Sequence, residues 1–305
     1  RLIGDSLVVS GAFSGLTDSL AVNVSGGAHL HLGYAGQNGG IQIGLVTTQG
    51  VNPFSGSFDP AKNRFKLTTA QLTALNNRQL YVNVHSRKYP SGEIRGQLLR
   101  NAEAYYAANM MGSYENPVVM TQASGAVAIE LRGNDIVLSG SFARLEGDFA
   151  ADVSGGAHLH LGYAGQNGGI QIPLKATANA DLKGGVFEAQ NNTFTLTADQ
   201  LAALRSRRLY ANVHSQKSRS GEIRGQVVSN STRAVFRGHL SGSNENPSVT
   251  TLASGLVIVE IVDTSNIIVS GAFNNLEGVV AVNVGGGAHI HRGLAGENGG
   301  IIRGV

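Results

Sequence analysis

Gly26-Gly27-Ala28-His29-Leu30-His31-Leu32-Gly33-Tyr34-Ala35-Gly36-Gln37-Asn38-Gly39-Gly40-Ile41 occurs three times in the chain. It returns letter for letter at residues 155–170 and with modest changes at 286–301, bringing His158 and His160, then His289 and His291. Two histidines one residue apart, in a segment that reads as a strand entering a glycine loop, lie on the same side of a pleated strand. This is ligand geometry, and its recurrence makes the chain a tandem repeat.

Other markers keep the same spacing. Leu80-Tyr81-Val82-Asn83-Val84-His85-Ser86, followed by Ser91-Gly92-Glu93-Ile94-Arg95-Gly96-Gln97, returns 129 positions on as Leu209 to Ser215 and Ser220 to Gln226. Glu115-Asn116-Pro117 with Ala123-Ser124-Gly125 returns 130 positions on as Glu245-Asn246-Pro247 with Ala253-Ser254-Gly255. The markers divide the chain into residues 1–100, a module without its first strands; 101–230, a complete module; and 231–305, a module without its C-terminal half. The connections, Leu98 to Ala104 and Val227 to Ala234, are short. The spacing implies a parent chain longer than these 305 residues.

Short aliphatic runs bounded by turn residues, such as Ala126 to Leu131, Asp135 to Phe142 and Arg208 to His214, read as strands. Thr68 to Leu75 and Thr197 to Leu204 are the exception, with a capping threonine, a glutamine and leucines at helical spacing. The expected fold is all-β: tandem antiparallel β-sandwich repeats of Greek-key or immunoglobulin-like type, with one short helix per repeat.

Composition narrows the function. A formal charge of +3, with basic residues scattered among acids, argues against nucleic acid. No apolar run is long enough for a membrane span, and Arg1 to Ser6 does not read as a signal peptide. With no cysteine, any metal must be held by histidine, carboxylate or backbone oxygen.

Alternation sets the histidines opposite the leucines in Ala28 to Leu32, and Asn83 and His85 opposite the valines in Val82 to Val84. If the aliphatic face makes the core, His29, His31 and His85, and likewise His158, His160 and His214, stand on the outer face of the sheet as three-histidine clusters. Imidazole suits copper or zinc, and three such ligands leave a coordination position open. His289 and His291 form a third pair of candidate ligands, whose third partner would fall beyond Val305.

Four further features have weaker readings. Gly33 to Gly40 reads as a glycine-turned loop packed near the histidines, not a phosphate cradle, since no Gly-Lys-Ser/Thr follows. Glu93 and Arg95 share a sheet face and are candidates for an ion pair or for contact around a metal. The two Glu-Asn-Pro stretches read as turns at strand ends, and His239 as a surface residue.

Taken together, the Gly-Gly-Ala-His-Leu-His-Leu-Gly block, the glycine-asparagine loop, the Leu-Thr-Ala-x-Gln-Leu helix, Leu-Tyr-Val-Asn-Val-His-Ser and Ser-Gly-Glu-Ile-Arg-Gly-Gln resemble the CHRD domain, named after chordin. The resemblance covers essentially the whole chain and implies an extracellular β-sandwich module. The histidine pattern is also distantly similar to the copper ligands of Cu/Zn superoxide dismutase, although the chain has neither that family's cysteines nor a second histidine cluster for zinc.

Three functions follow as expectations. The first is a non-enzymatic structural protein, self-associating as a rod or filament, with a copper or zinc ion at each three-histidine site. The second is a redox or hydrolytic metalloenzyme with Glu93 or Glu222 as the acid or base. The third is a secreted module that binds protein ligands.

Overall fold

The computed structural model describes residues 1–305. The middle repeat shows the architecture in full. Its strands join antiparallel in the order Ile170–Pro173, Ala157–Leu161, Leu209–Val213, Ile223–Gln226, Ala104–Met111, Ser124–Arg132, Asp135–Ala143, Gly185–Phe187, Ala176–Ala178. Thr193–Thr195 and Val228–Ser229 attach at the sides. Ile223–Gln226 meets Ala104–Met111 at a single pair, Met111 with Arg224, so the sheet folds there into two walls. Between the walls lies a core of 25 buried apolar residues, including Ile129, Leu138, Phe142, Leu159, Phe187 and Val213. This is the all-β, sandwich-like fold that the alternating pattern implies.

The one helix per repeat is where the threonine signal puts it. Thr69–Asn76 and Ala198–Arg205 start at Thr68 and Thr197, each in a full capping box with Gln71 or Gln200. Both end in a Schellman arrangement: Gln79 N–H donates to Ala74 and Arg78 N–H to Leu75, and Arg208 and Arg207 donate in the same way to Ala203 and Leu204. The left-handed position that closes this motif usually holds glycine, yet here it holds Arg78 (φ 58°) and Arg207 (φ 59°). The first repeat copies the middle one on a smaller core of ten buried residues.

Those two arginines join successive repeats. Arg78 donates from Nε and Nη2 to the two carboxylate oxygens of Glu130, at 2.9 and 3.0 Å, and Glu130 is 1 % exposed. Arg207 repeats the contact to Glu260, at 2.8 and 3.4 Å, and Glu260 is fully buried. Both glutamates lie on the second strand of the following repeat, Ser124–Arg132 or Ser254–Ile261. One pairing therefore recurs at both junctions.

The strand that carries the histidines is buried on both faces. Its core face is set by Leu159, which has no exposure and sits between His158 and His160. Leu159→Ala is expected to destabilise the middle repeat by about 2–5 kcal/mol through transfer and cavity terms, measured as a lowered midpoint in chemical denaturation followed by tyrosine fluorescence.

Candidate metal centre

Alternation aims the histidines as expected, away from the leucines. In the four-stranded wall of the middle repeat, Ala157, Leu159, Ala211, Val213 and Ile223 enter the core. The register pairs His158 with Asn212 and His160 with Tyr210, and then Asn212 with Arg224 and Tyr210 with Gln226, which gathers these residues on the opposite face. One correction concerns exposure. That face is not open to solvent: His158 is 0 %, His160 8 % and His214 5 % exposed, and His29, His31 and His85 are 0 %, 8 % and 4 %. Loops cover it, which strand periodicity does not register.

Each imidazole is fixed through its second nitrogen. His158 Nε2 faces the carbonyl of Ser154 at 2.8 Å, His160 Nδ1 that of Gly168 at 2.9 Å, and His214 Nδ1 that of Arg219 at 3.0 Å. In the first repeat His29 Nε2 faces Ser25, His31 Nδ1 faces Gly39 and His85 Nδ1 faces Pro90, at 3.0, 2.9 and 2.9 Å. A carbonyl oxygen only accepts, so each of these nitrogens carries the hydrogen and each remaining nitrogen carries a lone pair. The remaining three are Nδ1 of His158, Nε2 of His160 and Nε2 of His214. They converge within 4.8 Å of one another, as do their counterparts in the first repeat.

Two of the lone pairs point at each other across 3.1 Å in the middle repeat and 3.0 Å in the first, while Nε2 of His160 and of His31 is buried with no partner. Lone pairs this close with no hydrogen between them repel, and a cation between them would relieve the repulsion. A proton is disfavoured, because burial lowers the pKa of His29, His85, His158 and His160 and takes His214 down to about 4. Carbonyl-oriented imidazoles with inward lone pairs are the arrangement of a metal site, and both triads could hold a metal ion.

The loop after each His-x-His strand packs against the histidines, as the glycine pattern suggests. It turns too tightly for a side chain at its end: a Cβ on Gly168 would lie 1.6 Å from the carbonyl oxygen of Leu161, and one on Gly39 would lie 1.5 Å from that of Leu32. These two glycines supply the carbonyls to His160 and His31. Tyr210 stacks on His160 with ring centroids 5.0 Å apart, and the Arg224 guanidinium lies 3.5 Å from the Tyr210 centroid. Tyr81, His31 and Arg95 repeat this stack.

Other expectations change. Arg95 does not pair with Glu93; it donates to the Gln37 carbonyl and to Asn38 Oδ1. Glu93 accepts from the backbone and hydroxyl of Thr17, and Glu222 from the Thr121 hydroxyl and Glu146 N–H. These acid–base candidates of the enzymatic reading are thus tied to neighbouring loops. Glu115 is more than a turn residue: it is 8 % exposed, has an unpartnered Oε1, and is raised to about pKa 8 by burial that Arg224 only partly offsets. Its signal in the sequence was the repeated Glu-Asn-Pro, which carries no hint of burial. His239 is exposed and stacks on Tyr114. His289 and His291 face the carbonyls of Val284 and Gly299, and no third histidine of these residues joins them.

A family model for the CHRD domain matches residues 2–98, 106–227 and 236–305, one match to each repeat. No curated protein and no solved structure matched the chain.

Two outcomes test the centre. His214→Ala is expected to lower bound copper or zinc from two ions per chain to one, by elemental analysis after gel filtration, and His289→Ala to leave it unchanged. In the metal-free protein His29, His85, His158, His160 and His214 are held neutral in the fold by burial but protonate more readily when unfolded, so between about pH 4 and 6.5 the unfolded chain holds more protons on these groups. The histidine contribution to stability should therefore be full above pH 6.5 and fall as the pH drops toward 4, opposite to the trend from Glu115 between about pH 4.5 and 8, and thermal melts should show the loss on acidification diminished in His214→Ala.

Proposed function

As the chain belongs to the CHRD family, we propose that it is a non-enzymatic extracellular structural protein, a stiff row of CHRD modules in which each complete triad binds a copper or zinc ion. The observation that carries this reading is the recurrence of one buried junction, Arg78 with Glu130 and Arg207 with Glu260. A contact of the same kind at each step relates successive modules in a similar way, and such a head-to-tail relation extends into an open row wherever its rotation does not close a ring. Short connections support it, since Ala104–Met111 begins only a few residues after the last strand of the first repeat, Ile94–Gln97.

The metal reading rests on the converging lone pairs. Imidazole donors in a cysteine-free chain suit zinc or copper over the oxygen-seeking calcium and magnesium. The ion would cross-link strands Ala157–Leu161 and Leu209–Val213 on the face opposite the core, and so stabilise the folded module by mass action. No helix is long and apolar enough to cross a membrane.

Small-angle scattering with and without Glu130→Gln and Glu260→Gln tests the rod. The parent chain is expected to scatter as a single elongated particle of fixed dimensions. The double variant is expected to show the larger and broader dimensions of hinged modules. A flexible parent would overturn the structural reading.

A further inference from the structure

The loop that shuts each triad also forms the junction. In the middle repeat it runs from Gly162 to Gly168. At one end Gly168 receives His160 on its carbonyl and donates its N–H to the Tyr210 hydroxyl at 3.1 Å. Three residues earlier the next module grips it: Asn274 Nδ2 donates to the Gly165 carbonyl at 3.0 Å, and Gly165 lies so close to that module that a Cβ there would be 3.0 Å from Leu256 N. Arg224 pins the residues between, donating to the carbonyls of Tyr163 and Gln166 at 2.9 and 2.7 Å and to Asn167 at 3.2 Å.

The loop is also tied to the ion pair. Gln226 Nε2 donates both to the Gly162 carbonyl, at 2.9 Å, and to that of Arg207, at 2.7 Å. The first repeat copies the linkage. Gln97 joins the carbonyls of Gly33 and Arg78, at 2.8 and 2.6 Å, and Ser141 of the next module donates to the Ala35 carbonyl at 2.7 Å. From imidazole to neighbouring module, every step is a direct hydrogen bond, a stacked pair or a peptide link within the short loop.

We propose that metal binding and module docking are coupled through this loop, so that each triad binds its ion more tightly when the following module is docked and each bound ion in turn stiffens the junction. This rests on the metal reading above. Docking holds the Gly168 or Gly39 carbonyl where it fixes one ligand; the ion holds that ligand, and with it the loop that docks. Reciprocity is then a thermodynamic requirement. The row would be stiff when loaded and looser when stripped, making it responsive to metal supply.

The two junctions provide their own control. Zinc(II) alone is titrated into the whole chain against a chromophoric chelator, with the two sites separated by working in His214→Ala for the first and His85→Ala for the second. Glu130→Gln is expected to weaken the first site roughly fivefold or more and leave the second unchanged, while Glu260→Gln does the reverse. Ser141→Ala, which removes only the bond to the Ala35 carbonyl, decides the matter if Glu130→Gln does not fold, and should weaken the first site alone. An unchanged first site in a chain whose residues 124–143 exchange hydrogen faster would overturn the coupling and leave the metal reading standing. Equal weakening of both sites would also overturn it, by showing a general loss of fold. A parent chain that binds neither zinc(II) nor, in the same titration, copper(II) at either site would sink the metal reading and the coupling with it.

Discussion

Three backbone carbonyls decide the character of this molecule. Ser154, Gly168 and Arg219 each take one imidazole N–H, and so turn three lone pairs toward a common point. A buried polar atom without a partner costs about 1–3 kcal/mol, and each triad holds one such nitrogen beside two lone pairs that oppose each other. Unfilled, that arrangement costs free energy twice over, once in desolvation and once in repulsion. The fold keeps it in two copies 129 residues apart, with the same donor atoms in each. Chance burial of histidine would instead leave the second nitrogens with varied partners.

The carbonyls are where they are because of loops, and this sets the limit of what the sequence showed. Period-two alternation in Ala157 to Leu161 tells which face a side chain takes, and that face was legible. It says nothing about what lies on top, since cover comes from chain far away in sequence. The loop was legible in part, because a run of glycines implies close approach, and Gly168 shows why. The helix was fully legible in Thr197 and Gln200, since a capping box is a local arrangement. Arg78 with Glu130 was not, because neither residue is unusual alone and they belong to different repeats. Glu115 was legible only in part for a related reason: its neighbours mark a turn, which the structure has, while only the tertiary fold buries the carboxyl.

The arginines at the helix ends show which demand prevails. A non-glycine residue in the left-handed region costs about 1 kcal/mol or somewhat more, and glycine would close the Schellman motif without that cost. Arginine is retained there in both repeats, aimed at a glutamate that is almost wholly buried. Leaving Glu260 unpaired would cost about 3–5 kcal/mol, and although Glu130 keeps Arg132 and the Arg100 N–H it would lose its two-bonded partner, so the strain is the smaller term wherever a following module is docked. In a module standing alone the sign reverses, since the strain remains and the partner is gone. The helix terminus is therefore built for the junction between repeats, at the expense of the isolated module.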